Sequence, residues 1–323
     1  MIVPALPAVA LAVLLATALF VALWLDRYRV EPLPRLVLVA CWGLLCALVV
    51  RVAGPAPVFG AGADAVLSNG PAAPPAAGVV VEFLLALGLA LVATSRYLDG
   101  PLDGAVYGTT AGLGFAAFAS VAASHSGWAP SSAALPLFTT LVWAAVTAGV
   151  GWAIGFAKLG LRAWARAPFA LAAVACAGAV RWALVAGADR AWIAWGGGVA
   201  ALGLVLVAIG LVLLAAVFWG ALALEGKVIA RQLTDEVSLG VLPPWVAEVL
   251  PSFRRRIRSD WWRRRDERRE IVRLLAALAF RKHQLRGLSE ERARLYGLEV
   301  GRLRQRARTL LALPPDAQPT SEA

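Results

Sequence analysis

The sequence predicts an all-α, polytopic membrane bundle of about seven transmembrane helices followed by a cytoplasmic helical hairpin, and three observations carry that reading. Apolar residues make up 60% of the 323-residue chain and charged residues only 16%, against roughly a quarter charged in an ordinary soluble domain. The apolar residues fall in unbroken runs of about 18 or more, the length that crosses a hydrocarbon layer of roughly 30 Å as helix. The charge is also segregated: residues 226–323 hold 21 Lys and Arg against 12 Asp and Glu, and supply +9 of the formal +11. The first two observations exclude a soluble globular protein. The third divides the chain into a transmembrane bundle over residues 1–225, a basic cytoplasmic helical tail over 226–313 and a disordered end over 314–323.

The first run, residues 4–25, has no basic residue before it and is longer than a secretory apolar core, so it is expected to remain as an uncleaved span. Six further runs follow at residues 36–53, 78–95, 104–123, 135–157, 167–187 and within 200–224. Basic residues in short loops set the orientation. Arg27, Arg29 and Arg35 follow the first run, Arg96 the third, and Lys158, Arg162 and Arg166 the fifth, whereas the alternate loops offer Arg51, none, and Arg190 beside Asp189. Seven spans with the N-terminus outside place every basic loop, and the tail, in the cytoplasm of a bacterial inner membrane. Between the second and third runs, residues 54–78 are rich in Pro, Gly and Ala without helical period, and read as an external loop.

The tail has its own punctuation. A helix from Glu225 is expected to stop at Gly240, suited to the position after a helix end, and Pro243 and Pro244 restart the chain. Ile271, Leu274, Leu275 and Leu278 then recur at one-face spacing, as do Leu303, Ala307, Leu310 and Leu311, with Gly287 and Leu288 as the turn between them and Ser289 as N-cap. A basic juxtamembrane tail satisfies the positive-inside rule and touches anionic headgroups. No motif in it points to specific nucleic acid. The three cysteines, Cys41, Cys46 and Cys176, lie inside apolar runs with neither metal-site nor disulfide spacing.

An ionisable residue inside a membrane is costly and is a functional candidate for that reason. Glu82 near the outer start of its run, Arg51 and Arg181 are such residues, and Asp99 and Asp103 lie in a short inner loop. The structural reading makes Glu82 interfacial, lets both arginines snorkel outward and uses the aspartates as helix caps. In the fourth run Gly104, Gly108 and Gly112 stand four apart and Gly114 extends the small surface, which predicts close helix packing.

These pieces resemble, in order, the PrsW-type intramembrane metalloproteases: DRYRVEPLPRLVLVACWG their charged loop and second helix, VVVEFLLALGL their paired-glutamate helix, and DGPLDGAVYGTTAGLGFAA their most recognisable segment. The resemblance implies a degenerate member. The family's EExxK falls on Glu82, Phe83 and Ala86; its FxxxE falls on Phe115 and Ala119; the helix that should offer a histidine reads ALPLFTTLVWAA around Leu135; and no HxxxD follows. Only Glu82 remains as a catalytic candidate. A catalytic zinc needs about three protein ligands, so the expectation is no metal or other cofactor. The two histidines, His125 and His283, fall on opposite sides of the membrane in the seven-span topology. The function expected is a non-catalytic relative that binds a membrane or cytoplasmic protein through residues 251–313. The alternative is an active, zinc-dependent protease cleaving a membrane protein.

Overall fold

In the computed structural model, residues 33–53, 75–94, 98, 100–125, 134–194, 200–252, 255, 265–285 and 290–311 are described. Among them every regular element is a helix: α1 Leu33–Val52, α2 Pro75–Thr94, α3 Pro101–His125, α4 Ala134–Gly160, α5 Ala163–Ala194, α6 Ala200–Ser238, α7 Pro244–Val249, α8 Arg265–Leu285 and α9 Glu290–Leu311. Five of these, α1, α2, α4, α5 and α6, are long and apolar enough to cross a membrane. The expected span at 4–25, Asp99, the turn at Gly287 to Ser289 and the end from 314 lie outside the described residues. The chain divides into two compact units, Met1–Leu222 and Ala223–Ala323.

In the first unit the central helix is α3, the long helix outside the set apolar enough to cross a membrane. All sixteen residues from Pro101 to Ala116 are buried, with α4 packed along one side of α3 and α1 along another. Glycine makes this possible. A Cβ at Gly104, Gly108 or Gly112 would overlap the carbonyl oxygens of Gly151, Thr147 and Trp143 on α4, and one at Gly114 would overlap that of Ala40 on α1. Backbones this close gain dispersion and Cα–H···O contacts where no hydrophobic drive acts between helices in lipid. Because residues 101–116 of α3 are covered on all sides, the helix can carry Thr109 and Thr110, whose hydroxyls donate back to the carbonyls of Ala105 and Val106 at 2.8 Å. Its lower hydropathy therefore has a structural reason. The outer faces of α1 and α6 show the complementary pattern, with Leu38, Val52, Leu204 and Trp219 exposed.

Helices α1 and α2 are locked by one side chain. The Trp42 indole donates to the Leu84 carbonyl at 3.1 Å, and it fits because Gly88, one turn further along α2, leaves its ring room that a Cβ would take.

Several boundaries differ from the sequence expectation. Helix α5 runs on to Ala194, so that Asp189 and Arg190, expected in a loop after residue 187, lie within the helix. The loop expected to reach residue 78 ends by Pro75, whose fixed φ suits a first helical turn. Helix α5 starts at Ala163, not 167, which places Pro168 inside it. Near a helix start a proline removes few hydrogen bonds, and the Arg166 side chain caps the region by donating to the Leu161 carbonyl at 3.1 Å. Finally, the last apolar run and the tail's first helix are one element: nothing between Leu224 and Glu225 breaks the helix, and α6 runs 39 residues, roughly 58 Å at 1.5 Å per residue.

That length is about twice a hydrocarbon layer, so the polar C-terminal third of α6, from Glu225, lies beyond the apolar segment. It ends as predicted. Gly240 has φ +66, its amide donates to the Val237 carbonyl at 2.9 Å and that of Val241 to Glu236 at 3.0 Å, which is the Schellman pattern. In the second unit α8 buries Ile271, Leu274, Leu275 and Leu278 and packs against α9. Arg281 pairs with Glu299 and Glu270 with Arg306, so the two helices run antiparallel.

Candidate functional site

In the first unit α2, α4 and α5 bring together Glu82 and Arg181, while Arg51 lies exposed in the last turn of α1. Glu82 is fully buried and Arg181 is 3% exposed. The Arg181 Nη1 donates to Glu82 Oε1 at 2.5 Å, and Nη2 donates to the Gly78 carbonyl, one turn before Glu82, at 2.6 Å. The Thr147 hydroxyl from α4 completes the carboxylate's surroundings, 3.3 and 3.4 Å from its two oxygens. One turn earlier on the same face of α4, the Trp143 ring lies under the guanidinium with its centroid 3.7 Å from Arg181 Cζ. The Phe115 ring of α3 packs against the same indole, with 4.1 Å between ring centroids.

The local sequence explains why the charges meet. Gly78 and Gly178 lie one turn before Glu82 and Arg181, and a Cβ at Gly178 would come within 2.6 Å of the Val79 Cα. The α2 and α5 backbones therefore nearly touch beside the pair. A guanidinium also has the planar donor geometry to serve a carboxylate and a carbonyl together, and the aromatic ring beneath it contributes a cation–π contact in a buried site. Outward snorkelling of Arg181 and an interfacial Glu82 are thus overturned: each residue is the other's counter-charge, and both point inward.

Chemically the arrangement is a clasp. The Arg181 guanidinium lies against Glu82 Oε1, and the Thr147 hydroxyl is within reach of both carboxylate oxygens. The groups around it are a guanidinium, a hydroxyl, a carbonyl and an indole, and among the described residues no three His, Cys, Asp or Glu group to hold a metal. None of the described groups in contact with Glu82 is a second carboxylate, imidazole or thiolate such as the alternative, zinc-dependent reading needs.

The other expected positions scatter. Phe83 is 42% exposed, while Ala86 and Ala119 are buried small residues; Leu135 is on α4, with its side chain outside the described residues. Gly104, Gly108, Gly112 and Gly114 serve packing, as described above. His125 is the last residue of α3, and His283 lies on α8 with Nδ1 3.4 Å from the Gln232 amide nitrogen. Asp103 sits in the first turn of α3 and is buried.

A second charged cluster, in the other unit, has no counterpart in the sequence reading. Glu236 near the end of α6 is fully buried. Arg304 of α9 grips it in a two-pronged contact, Nε to Oε2 at 2.7 Å and Nη2 to Oε1 at 2.6 Å, and Lys282 of α8 approaches at 2.9 Å. Burial pushes the Glu236 carboxyl up, but the hydrogen bonds from Arg304 and Lys282 and their charges outweigh it and hold the group below the usual carboxylate range. The same hydrogen bond raises Arg304. No sequence signal separated Glu236 from its neighbour Asp235, since the partners come from 46 and 68 residues away.

Compared with protein-family models, with curated proteins and with solved structures, the chain matches none.

Proposed function

We propose that this is a multi-pass protein of a bacterial inner membrane, N-terminus outside and tail in the cytoplasm, with a PrsW-like bundle that has no protease activity and works by binding. Its partner is a membrane or cytoplasmic protein held through the helical tail, residues 251–313, and it needs no zinc. The observation that supports this most is the occupant of the Glu82 carboxylate: a buried internal guanidinium stacked over an indole ring. A carboxylate committed to such a pair contributes to the assembly of α2, α4 and α5 and is not available for water activation.

The test has to separate a lost catalyst from a collapsed fold, because Glu82→Gln alone strands Arg181. The doubly neutral variant Glu82→Gln with Arg181→Met removes both charges at once. In a complementation assay the binding reading expects this variant, inserted at normal levels, to restore the phenotype of a gene deletion, and truncation from Pro251 onward to abolish it. Protein purified in mild detergent is expected to carry no stoichiometric zinc. A double variant that inserts normally yet behaves as a null, or chelator-removable zinc near one per chain, would establish the active metalloprotease instead.

A further inference from the structure

Helix α9 presents two faces of different character. Its buried stripe, with Val300 and Ala307 fully or nearly fully covered, packs on α8. On the opposite side Leu295 and Leu298 are 63% and 62% exposed, and the helical spacing sets Arg294, Arg302 and Arg306 among them, all exposed as well. Among the described residues of the second unit the other strongly exposed large apolar side chain is Leu239, just past the end of α6. Two large leucines left outside in the middle of a helix, ringed by arginines, are a poor arrangement for a face meant only for water.

We propose that this face of α9 docks on the anionic headgroup layer of the membrane, the leucines entering the acyl boundary and the arginines meeting phosphates. Charge complementarity selects that occupant. The helix carries six arginines, of which Arg304 is held by Glu236 and Arg306 by Glu270, against Glu290, Glu291 and Glu299; the first two lie in the first turn, where they complement the helix dipole, and Glu299 is held by Arg281. Leucine with arginine on an otherwise polar helix is the composition of an interfacial helix, not of a spanning one. The chain also supplies the surface itself, since covalent attachment to membrane-crossing helices gives even a modest headgroup affinity a high effective concentration. The proposal rests on the multi-pass reading and is independent of whether the bundle is catalytic.

The test uses the full chain in lipid nanodiscs, with Cys41, Cys46 and Cys176 replaced by alanine and an environment-sensitive fluorophore on Leu298→Cys. Ala277→Cys, exposed on α8, is the control. In discs with roughly one-third anionic lipid, the Leu298 probe is expected to shift to the blue and to be quenched by a lipid-borne quencher, while the Ala277 probe is not. Zwitterionic discs, or salt raised from about 0.05 M to about 0.5 M, are expected to reverse most of the effect. Arg294→Gln with Arg302→Gln is expected to weaken docking by about fivefold per arginine. Identical Leu298 emission in both lipids overturns the proposal. A blue shift without lipid quenching also overturns it, and assigns the face to an acidic protein or a second copy. Failure of the chain to enter discs at all removes the multi-pass reading beneath it, a result visible before any fluorescence is read.

Discussion

At Arg181 the side chain's value depends on what it faces. Unpaired, a guanidinium in a membrane-embedded pocket is among the costliest groups a helix can carry; against Glu82, the Gly78 carbonyl and the Trp143 ring it is fully accommodated. Removing one partner of a buried pair costs about 3–5 kcal/mol, whereas replacing both with apolar or neutral groups is often close to neutral. Arg181→Met is therefore expected to lower the unfolding temperature in detergent sharply, and adding Glu82→Gln to recover most of the loss. The coupling, read from the two single variants and the double, tests the pair directly; additive effects would show that the two charges act separately. The sequence made both residues visible as charges in apolar runs. It did not make them visible as partners, because a contact between residues 99 positions apart depends on where glycines let α2 and α5 touch.

Glu236 makes a second residue-level prediction, with its sign set by its depressed pKa. A carboxyl held below its unfolded value of about 4.3 stabilises the folded state above that pH and ceases to do so as pH falls through the folded value. Spin labels on the exposed positions Thr234 and Thr309, as cysteines, are expected to give a narrow distance distribution at neutral pH that broadens on acidification below about pH 4. Arg304→Met is expected to give the broad distribution at every pH. A distribution that stays narrow in acid would mean that apolar packing of α8 and α9 suffices.

At the level of elements, helix identity was legible and helix ends were less so. Apolar runs and the stripe at Ile271 to Leu278 mark helices because burial must follow the 3.6-residue period; the continuity of α6 through Glu225 was hidden because a change in composition resembles a boundary even where no proline or capping residue stands. Glycine readings can be sharpened by contact. Gly108 has the Thr147 carbonyl against it, while Gly149 on α4 has nothing within 4 Å of where a Cβ would stand. Gly108→Ala is expected to cost about 1–3 kcal/mol by forcing α3 and α4 apart. Gly149→Ala is expected to be neutral or to stabilise by up to about 1 kcal/mol through reduced freedom of the unfolded chain. Equal unfolding midpoints for the two variants in detergent would remove the glycine zipper from the account.

For the whole molecule, the seven-span, N-out topology rests on loop charge, and five of its spans are present as long apolar helices. Reporter fusions near Gly70 and Ala317 decide the orientation. The periplasm-only reporter is expected to be active at the first site and the cytoplasm-only reporter at the second; the reverse pattern would invert the chain.

The central position of α3 bears on how the protein is made. Helices enter a bilayer in order of synthesis and are accepted according to their own affinity for lipid. On its own in hydrocarbon, α3 would expose Asp103, two threonines and a ladder of bare backbone, so its neighbours have to shelter it. Helix α1 is already in place when α3 emerges, but α4, which covers the longer seam, is still unmade. Under the proposed seven-span topology α3 is thus the segment the insertion machinery is least ready to accept, and it is expected to stay beside the exit channel until α4 is made.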